Sequence, residues 1–248
     1  MIDFPYLSDV VRSTPSRIVM VVVDGLGGMP HPDFGKSELE IADIPTLDAL
    51  ASTSSVGATI PVLPGITPGS GPGHMALFGY NPVKYLLGRG VLEGMGIGAD
   101  ISQGDVAARG NFCVLDVKGN IVDRRAGRLD TETCITLCSK LNEIQLDGVE
   151  FYVYPVMDYR FVLVLKGKNI SPNISETDPQ TEGVIPLVSQ PFSSEAQITA
   201  GFIKEFVSKA TELLGSSNSA ANGVHLRGFS SLPTLPDFGN QYALNSAA

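Results

Sequence analysis

The sequence predicts an α/β protein: a sheet covered on both faces, interrupted by an inserted α+β subdomain with antiparallel strands. Three observations predict it. Arg17-Ile18-Val19-Met20-Val21-Val22-Val23 is a largely β-branched run ending at Asp24-Gly25, which is how a strand buried on both faces reads. A helical and then a second strand-like segment follow it, giving strand, helix, strand. From Asp105 onward the texture changes to short strands separated by turn residues, the pattern of antiparallel pairing.

In chain order, Pro45 precedes a helix expected over about Thr46 to Ser52, with Leu47 and Leu50 on one face, and Val56 to Val62 reads as the second strand. Pro64 to Gly73 holds four glycines and three prolines and opens into an apolar helical stretch, His74 to Gly79. A loop entering a helix N-terminus is an anion-binding geometry. A second glycine-rich stretch, Gly88 to Gly98, precedes Asp105 to Asp116, the turn Lys118-Gly119-Asn120, and Ile121-Val122, which together read as a hairpin. Asp130 offers an N-cap to a helix reaching about Leu141. Val149 to Pro155 and Tyr159 to Leu165 read as two further strands. The helix expected over Ser194 to Leu214 has Ile198, Phe202, Phe206 and Leu213 near one face. Ser216 to Ala221 is a small-residue linker, and Gly223 to Arg227 is expected to return to the main sheet. Residues 104–186 form the inserted subdomain in this reading, and 1–103 with 187–248 the main body.

With 248 residues, 43% hydrophobic and 17% charged, the chain can bury a substantial core. Its longest uncharged apolar run, Ile18 to Val23, is far short of the roughly 20 residues that span a bilayer. No basic and apolar leader opens the sequence, so a cytoplasmic protein with no membrane partner is expected. The net charge of −9 argues against nucleic acid as a partner, because phosphate backbones are bound by a surplus of Lys and Arg. Any phosphate-bearing ligand must therefore meet a local basic cluster. Cys113, Cys134 and Cys138 lack a CxxC spacing, which indicates neither a disulfide framework nor a zinc cluster. Cys134 and Cys138, four apart on a predicted helix, read as small core residues or as a metal or redox pair.

Two constellations carry chemistry. Asp24, at the end of the apolar run and followed by Gly25, Gly27 and Gly28, stands where open α/β sheets place their sites. Its carboxylate suits a hard divalent metal, or simply closes a turn. In Thr67-Pro68-Gly69-Ser70-Gly71-Pro72-Gly73-His74, Ser70 sits among residues with little side chain to obstruct an attacking group. A serine hydroxyl needs activation by a base or a metal. His74 is close enough in sequence to invite the base role, and equally suits capping or packing.

Taken together, Val21-Val22-Val23-Asp24-Gly25, Ser70-x-x-Gly73-His74, Ala108-Arg109-Gly110-Asn111-Phe112 and Asp123-Arg124-Arg125-Ala126-Gly127-Arg128 resemble the cofactor-independent phosphoglycerate mutases. Phe78-Gly79-Tyr80-Asn81-Pro82, Gly88-Arg89-Gly90-Val91-Leu92-Glu93 and Thr177-Asp178-Pro179 are similar to their archaeal-type branch. The resemblance covers nearly the whole chain. It implies an alkaline-phosphatase-like three-layer core with a mostly parallel sheet, and makes residues 104–186 a substrate-binding cap. Asp24 matches a metal ligand, and Ser70 matches the serine that takes the phosphoryl group and also binds metal. Arg109, Arg124, Arg125, Arg128 and Arg160 match cap arginines that hold phosphate and carboxylate, and guanidinium groups grip both bidentately. Two divalent ions are implied, manganese foremost, with magnesium, cobalt or zinc as alternatives. The implied reaction interconverts 3-phosphoglycerate and 2-phosphoglycerate through a phosphoserine intermediate. A metal-dependent phosphomonoester hydrolase and a non-catalytic phosphoacid-binding module are the other readings.

The match is incomplete. The family's later metal ligands, an Asp and a His with three residues between them, an adjacent Asp-His pair and a further His, are not visible, since the histidines are His31, His74 and His225. The chain is therefore expected to be an N-terminal portion with an incomplete core. It is expected to be weakly active or inactive alone, and prone to self-association through an exposed sheet edge.

Overall fold

The computed structural model of the chain describes residues 2–23, 25–66, 68–216 and 221–246. Its helices are α1 (Leu7–Val10), α2 (Glu38–Ile41), α3 (Pro45–Thr53), α4 (Ser70–Leu77), α5 (Arg89–Gly96), α6 (Thr131–Leu141), α7 (Gln197–Ser216) and α8 (Phe238–Tyr242). Its strands are β1 (Val106–Leu115), β2 (Ile121–Asp123), β3 (Glu150–Met157), β4 (Arg160–Lys166) and β5 (Gly223–Ser230). Every strand pair among the described residues is antiparallel: the order is β2-β1-β4-β3, and β5 pairs with β1.

β1 is central, and its alternation sorts two environments. Val106, Ala108 and Phe112 join the main core with Phe161, Leu163 and Leu165 of β4, Val224 and Leu226 of β5, and the buried stripes of α6 and α7. Ala107, with Val162 and Val164, packs instead against Val91 of α5. Helices therefore cover both faces of the sheet. α5 lies unusually close, because a Cβ on Gly90 would stand 2.2 Å from the Ala107 carbonyl oxygen; only a glycine permits that approach.

Local rules account for α6. The Asp130 carboxylate accepts from the Thr133 N–H at 2.7 Å, satisfying an orphan donor of the first turn. Cys134, Leu137, Cys138 and Leu141 then follow at helical spacing and are buried. The two thiols are core residues, with sulfurs 4.0 Å apart. α7 buries Thr199, Ala200, Ile203, Phe206, Ala210 and Leu214. Of the expected face only Phe206 is fully buried, and Ile198 is exposed. The stripe that fits is Thr199, Ala200, Ile203 and Phe206, one position round from Ile198 and Phe202. The linker positions 217–220 lie outside the described residues.

Several expectations are corrected. Arg17 to Val23 and Val56 to Val62 form no strand, and Ile18 to Val23 are 52–83% exposed. Strand propensity needs cross-strand neighbours to become structure, and among the described residues none pairs with either run. β5 does not return to a parallel sheet; it pairs with β1, from Ala107↔Ser230 to Cys113↔Gly223. Consequently α7 and β5, expected with the main body, pack with the sheet that begins at Val106. Helix α4 starts at Ser70 rather than near His74. Gly69 takes the extended N-cap conformation, and Pro72 lies in the first turn, where a missing N–H costs nothing. The glycine-rich stretch from Gly88 contains a helix, α5, because Gly88 and Gly90 allow it to lie against β5 and β1.

A second, smaller core joins Ile2, Met75, Tyr80 and Tyr85 with Phe238 and Tyr242. Tyr85 Oη donates to Asp3 at 2.6 Å, Lys84 Nζ lies 2.9 Å from the same carboxylate, and Tyr80 Oη donates to the Pro236 carbonyl at 2.7 Å. These contacts tie the chain's first residues and α8 to the C-terminal end of α4.

Candidate functional site

Ser70 is the first residue of α4 and is exposed. It lines a cavity of about 890 Å3 with Val22, Ile60, Pro68, His74 and Tyr80. His74 Nδ1 lies 2.7 Å from the Ser70 carbonyl oxygen. A carbonyl only accepts, so Nδ1 donates and the ring is tied back along its own helix. That contact orients the exposed ring by the Ser70 main chain. Asp24 lies outside the described residues. No three His, Cys, Asp or Glu side chains converge as a metal-holding group among the described residues.

The charged end of the α5-facing side of the sheet gathers most of the expected arginines. Alternation places Arg109 and Asn111 on the same side of β1 as Ala107. The register sets Arg109 opposite Arg227 of β5 and Asn111 opposite both Arg160 of β4 and His225 of β5. Arg109 is 9% exposed, and its Nη1 meets Glu93 of α5 at 3.0 Å. Burial lowers its guanidinium from the ordinary value against the pull of Glu93, and Arg227, Arg160 and Arg89 push the same way as burial. Arg124, on the loop after β2, places Nη2 2.8 and 2.7 Å from the two Asp178 oxygens. Arg227 Nη1 and His225 Nδ1 each stand 3.5 Å from Asp178 Oδ2. Burial works to raise the Asp178 carboxyl, but His225 and Arg124 outweigh it and hold it below its usual range.

The Nε atoms of Arg109, Arg124, Arg160 and Arg227 are buried without a partner, as is Asn111 Oδ1. Buried donors in a native site normally find partners; the exposed parts of this cluster are the Arg124 and Arg227 side chains, 25% and 22% exposed, where guanidinium groups can meet an oxyanion. Arg125 and Arg128 are exposed on the neighbouring turn. That turn is held by Asp123, whose carboxylate accepts from the Arg125 and Gly127 N–H groups at 2.7 and 2.6 Å. Ala126 and Arg128 there take φ of 47° and 54°, a left-handed backbone that non-glycine residues adopt only when fixed.

The structure thus brings Arg109, Arg124 and Arg160 to one face and leaves Arg125 and Arg128 on its exposed margin. Reading the sequence missed Arg227, His225, Asp178, Glu93 and Arg89 as members. The available signal was the position of Arg227 and His225 two apart in a strand, which puts both on one face; what joined them to Arg109 was the β1–β5 register.

The fold and this face define a mixed α/β protein whose antiparallel sheet presents clustered guanidinium groups suited to small oxyanions. A family model described as 2,3-bisphosphoglycerate-independent phosphoglycerate mutase matches residues 51–219, and the chain belongs to that family. It is 42% identical over 247 residues to a Thermus thermophilus protein named "Probable 2,3-bisphosphoglycerate-independent phosphoglycerate mutase", covering 99% of this chain and 61% of the relative. A Deinococcus radiodurans protein of the same name is 44% identical over 241 residues, covering 95% and 58%. The solved structure of the cofactor-independent phosphoglycerate mutase from Thermoplasma acidophilum aligns with a TM-score of 0.57 at 31% identity, covering 89% of this chain and 60% of that one. The chain therefore spans about three fifths of the length of these relatives. No described helix is long and apolar enough to cross a membrane.

Proposed function

We propose that the chain carries the phosphoglycerate-recognising part of a phosphoglycerate mutase that interconverts the 3- and 2-phospho isomers. The observation that carries this reading is the cluster of Arg109, Arg160 and Arg227 on the α5-facing side of the sheet, with Arg124 joined to it through Asp178. Phosphoglycerate offers a phosphate and a carboxylate, each with paired oxygens that a planar guanidinium fork can meet bidentately. In this reading Arg109, Arg124 and Arg160 hold the ligand, and the exposed Arg125 and Arg128 close over it. Ser70 accepts the phosphoryl group from one glycerate hydroxyl oxygen and returns it to the other, and exclusion of water keeps the transfer from becoming hydrolysis. The arginines offset charge on the phosphoryl oxygens.

Family membership supports an alkaline-phosphatase-like core built on the segments before residue 104 and a cap from residue 104. The packing of α7 and β5 moves the cap's far boundary from residue 186 to about Ser230 in this proposal. The family's divalent metals, two ions with manganese foremost, would supply Lewis-acid activation of the serine. The described residues do not fit such a site: Ser70 is exposed and no three ligand side chains converge. Weak or absent turnover of this chain alone forms part of the proposal.

The test is titration of the purified chain with 3-phosphoglycerate by calorimetry, alongside an assay with manganese that separates 2-phosphoglycerate from free phosphate. Saturable binding that Arg109→Gln abolishes is expected. Release of phosphate without isomer would make the protein a hydrolase, and absence of binding would remove the substrate assignment.

A further inference from the structure

Asp178 lies on the segment between β4 and α7, and its side chain has no exposed surface. Thr177 fastens that segment to β5: its N–H donates to the Leu226 carbonyl at 2.9 Å, and its hydroxyl accepts from the Leu226 N–H at 2.7 Å. Asp178 is thereby set beside His225 and Arg227. Oδ1 also accepts from the Gln180 N–H at 2.8 Å, which fixes the carboxylate's own rotation. On this one group converge Arg124 from the loop after β2, and Arg227 and His225 from β5. His225 Nε2 donates to the Arg124 carbonyl at 3.2 Å, so the ring also holds the main chain of the arginine that Asp178 holds by its head.

Simple electrostatics makes this arrangement unfavourable for an anion site. A carboxylate among guanidinium groups lowers the local positive potential, and so weakens anion binding if potential is all that matters. Its benefit is geometric. With one Nη of each arginine turned to Asp178, the Nε–H groups of Arg124 and Arg227 stay buried and unpartnered. The geometry points to Asp178 as a positioning residue for oxyanion recognition: it fixes the Arg124 and Arg227 guanidinium groups, whose side chains are 25% and 22% exposed, so that they meet a phosphoglycerate-class ligand together, an inference that rests on the substrate reading above.

The two effects of removing the charge have opposite signs, and this makes the test sharp. Calorimetric titration of the full chain with 3-phosphoglycerate at fixed ionic strength is expected to show at least tenfold weaker binding for Asp178→Asn, although the site has become more positive. Asp178→Glu, which restores the charge one methylene further out, is expected to stay weak. Equal or tighter binding by Asp178→Asn, or full recovery in Asp178→Glu, overturns the positioning role and leaves the substrate reading standing. A wild-type chain that does not bind removes both.

Should the Asp178 variants not fold, nitrogen NMR of the wild-type arginine side chains decides. The Arg124 and Arg227 Nε–H signals, assigned through Arg124→Lys and Arg227→Lys, are expected to exchange slowly with water and to shift on adding 3-phosphoglycerate. Signals averaged to the position of free arginine would overturn the proposal.

Discussion

Gly90→Ala puts the fold's closest helix-to-sheet contact to the test. Sequence reasoning alone makes the substitution favourable, since replacing glycine inside a helix by alanine gains about 0.5–1 kcal/mol. The structure reverses the sign. An added Cβ would stand 2.2 Å from the Ala107 carbonyl oxygen, 2.4 Å from its carbon and 2.5 Å from the Ala108 nitrogen. All three are backbone atoms of the central strand β1, which pairs on both sides, so no rotamer change relieves the clash and α5 must move outward. Overpacking of this kind costs about 1–3 kcal/mol, and a clash with backbone belongs at the upper end. After the helix gain, about 2 kcal/mol of destabilisation remains, or roughly 4–8 °C in melting temperature for a chain of this size. The same outward shift draws Glu93 from Arg109, now 3.0 Å apart, so 3-phosphoglycerate binding is expected to weaken alongside stability. Urea unfolding followed by far-ultraviolet circular dichroism measures the change. A variant as stable as the wild type, or about 1 kcal/mol more stable, would refute the close approach of α5 to β1.

Asp130→Ala removes the cap on the Thr133 N–H and is expected to cost about 1 kcal/mol, read as a lower urea midpoint with an unchanged slope. Val21→Lys, at a position 79% exposed, is expected to change stability by less than about 0.5 kcal/mol; a loss of several kcal/mol in the same urea experiment would mean that the valine run is buried after all. Acid stability carries a signed prediction: against the opposing effect of burial, His225 and Arg124 hold its carboxyl below the ordinary carboxylate range, so Asp178 contributes stability that is present above the unfolded pKa and lost as pH falls through the folded one. Melting temperature should therefore drop on the acid side, and Asp178→Asn should flatten that limb while lowering the plateau, a pattern that parallel wild-type and variant pH scans would expose if absent.

Elements whose signals are local were legible. The Lys118-Gly119-Asn120 turn predicts the hairpin, Asp130 predicts the start of α6, and the strands around 150–157 and 160–166 were found from their residues, because turn chemistry and capping act over a few positions. The valine-rich run before Asp24 was misread for the opposite reason: residue type states what a strand would bury, whereas pairing decides whether a strand exists. Helix α5 was hidden because Gly88 and Gly90 look like loop residues. Their purpose is contact with Ser230 and Ala107, atoms far along the chain. Among the site residues, the arginines near Asp123 announced themselves by crowding, while Arg227 was one basic residue in an apolar stretch.

The charged face also explains why it could not be assembled from motifs one at a time. β1 supplies Arg109 and Asn111, β4 supplies Arg160, and β5 supplies His225 and Arg227, so the cluster exists only when β1 is paired on both edges. The second pairing depends on β5, whose Val224 and Leu226 share one core with Ile203, Phe206 and Leu214 of α7. Packing on one face of the sheet thus supports the strand that carries part of the cluster on the other. A cavity made under β5, for example by Leu214→Ala, reaches the arginines through that strand without touching any of them, and the chemistry of this face is tied to the stability of the core behind it.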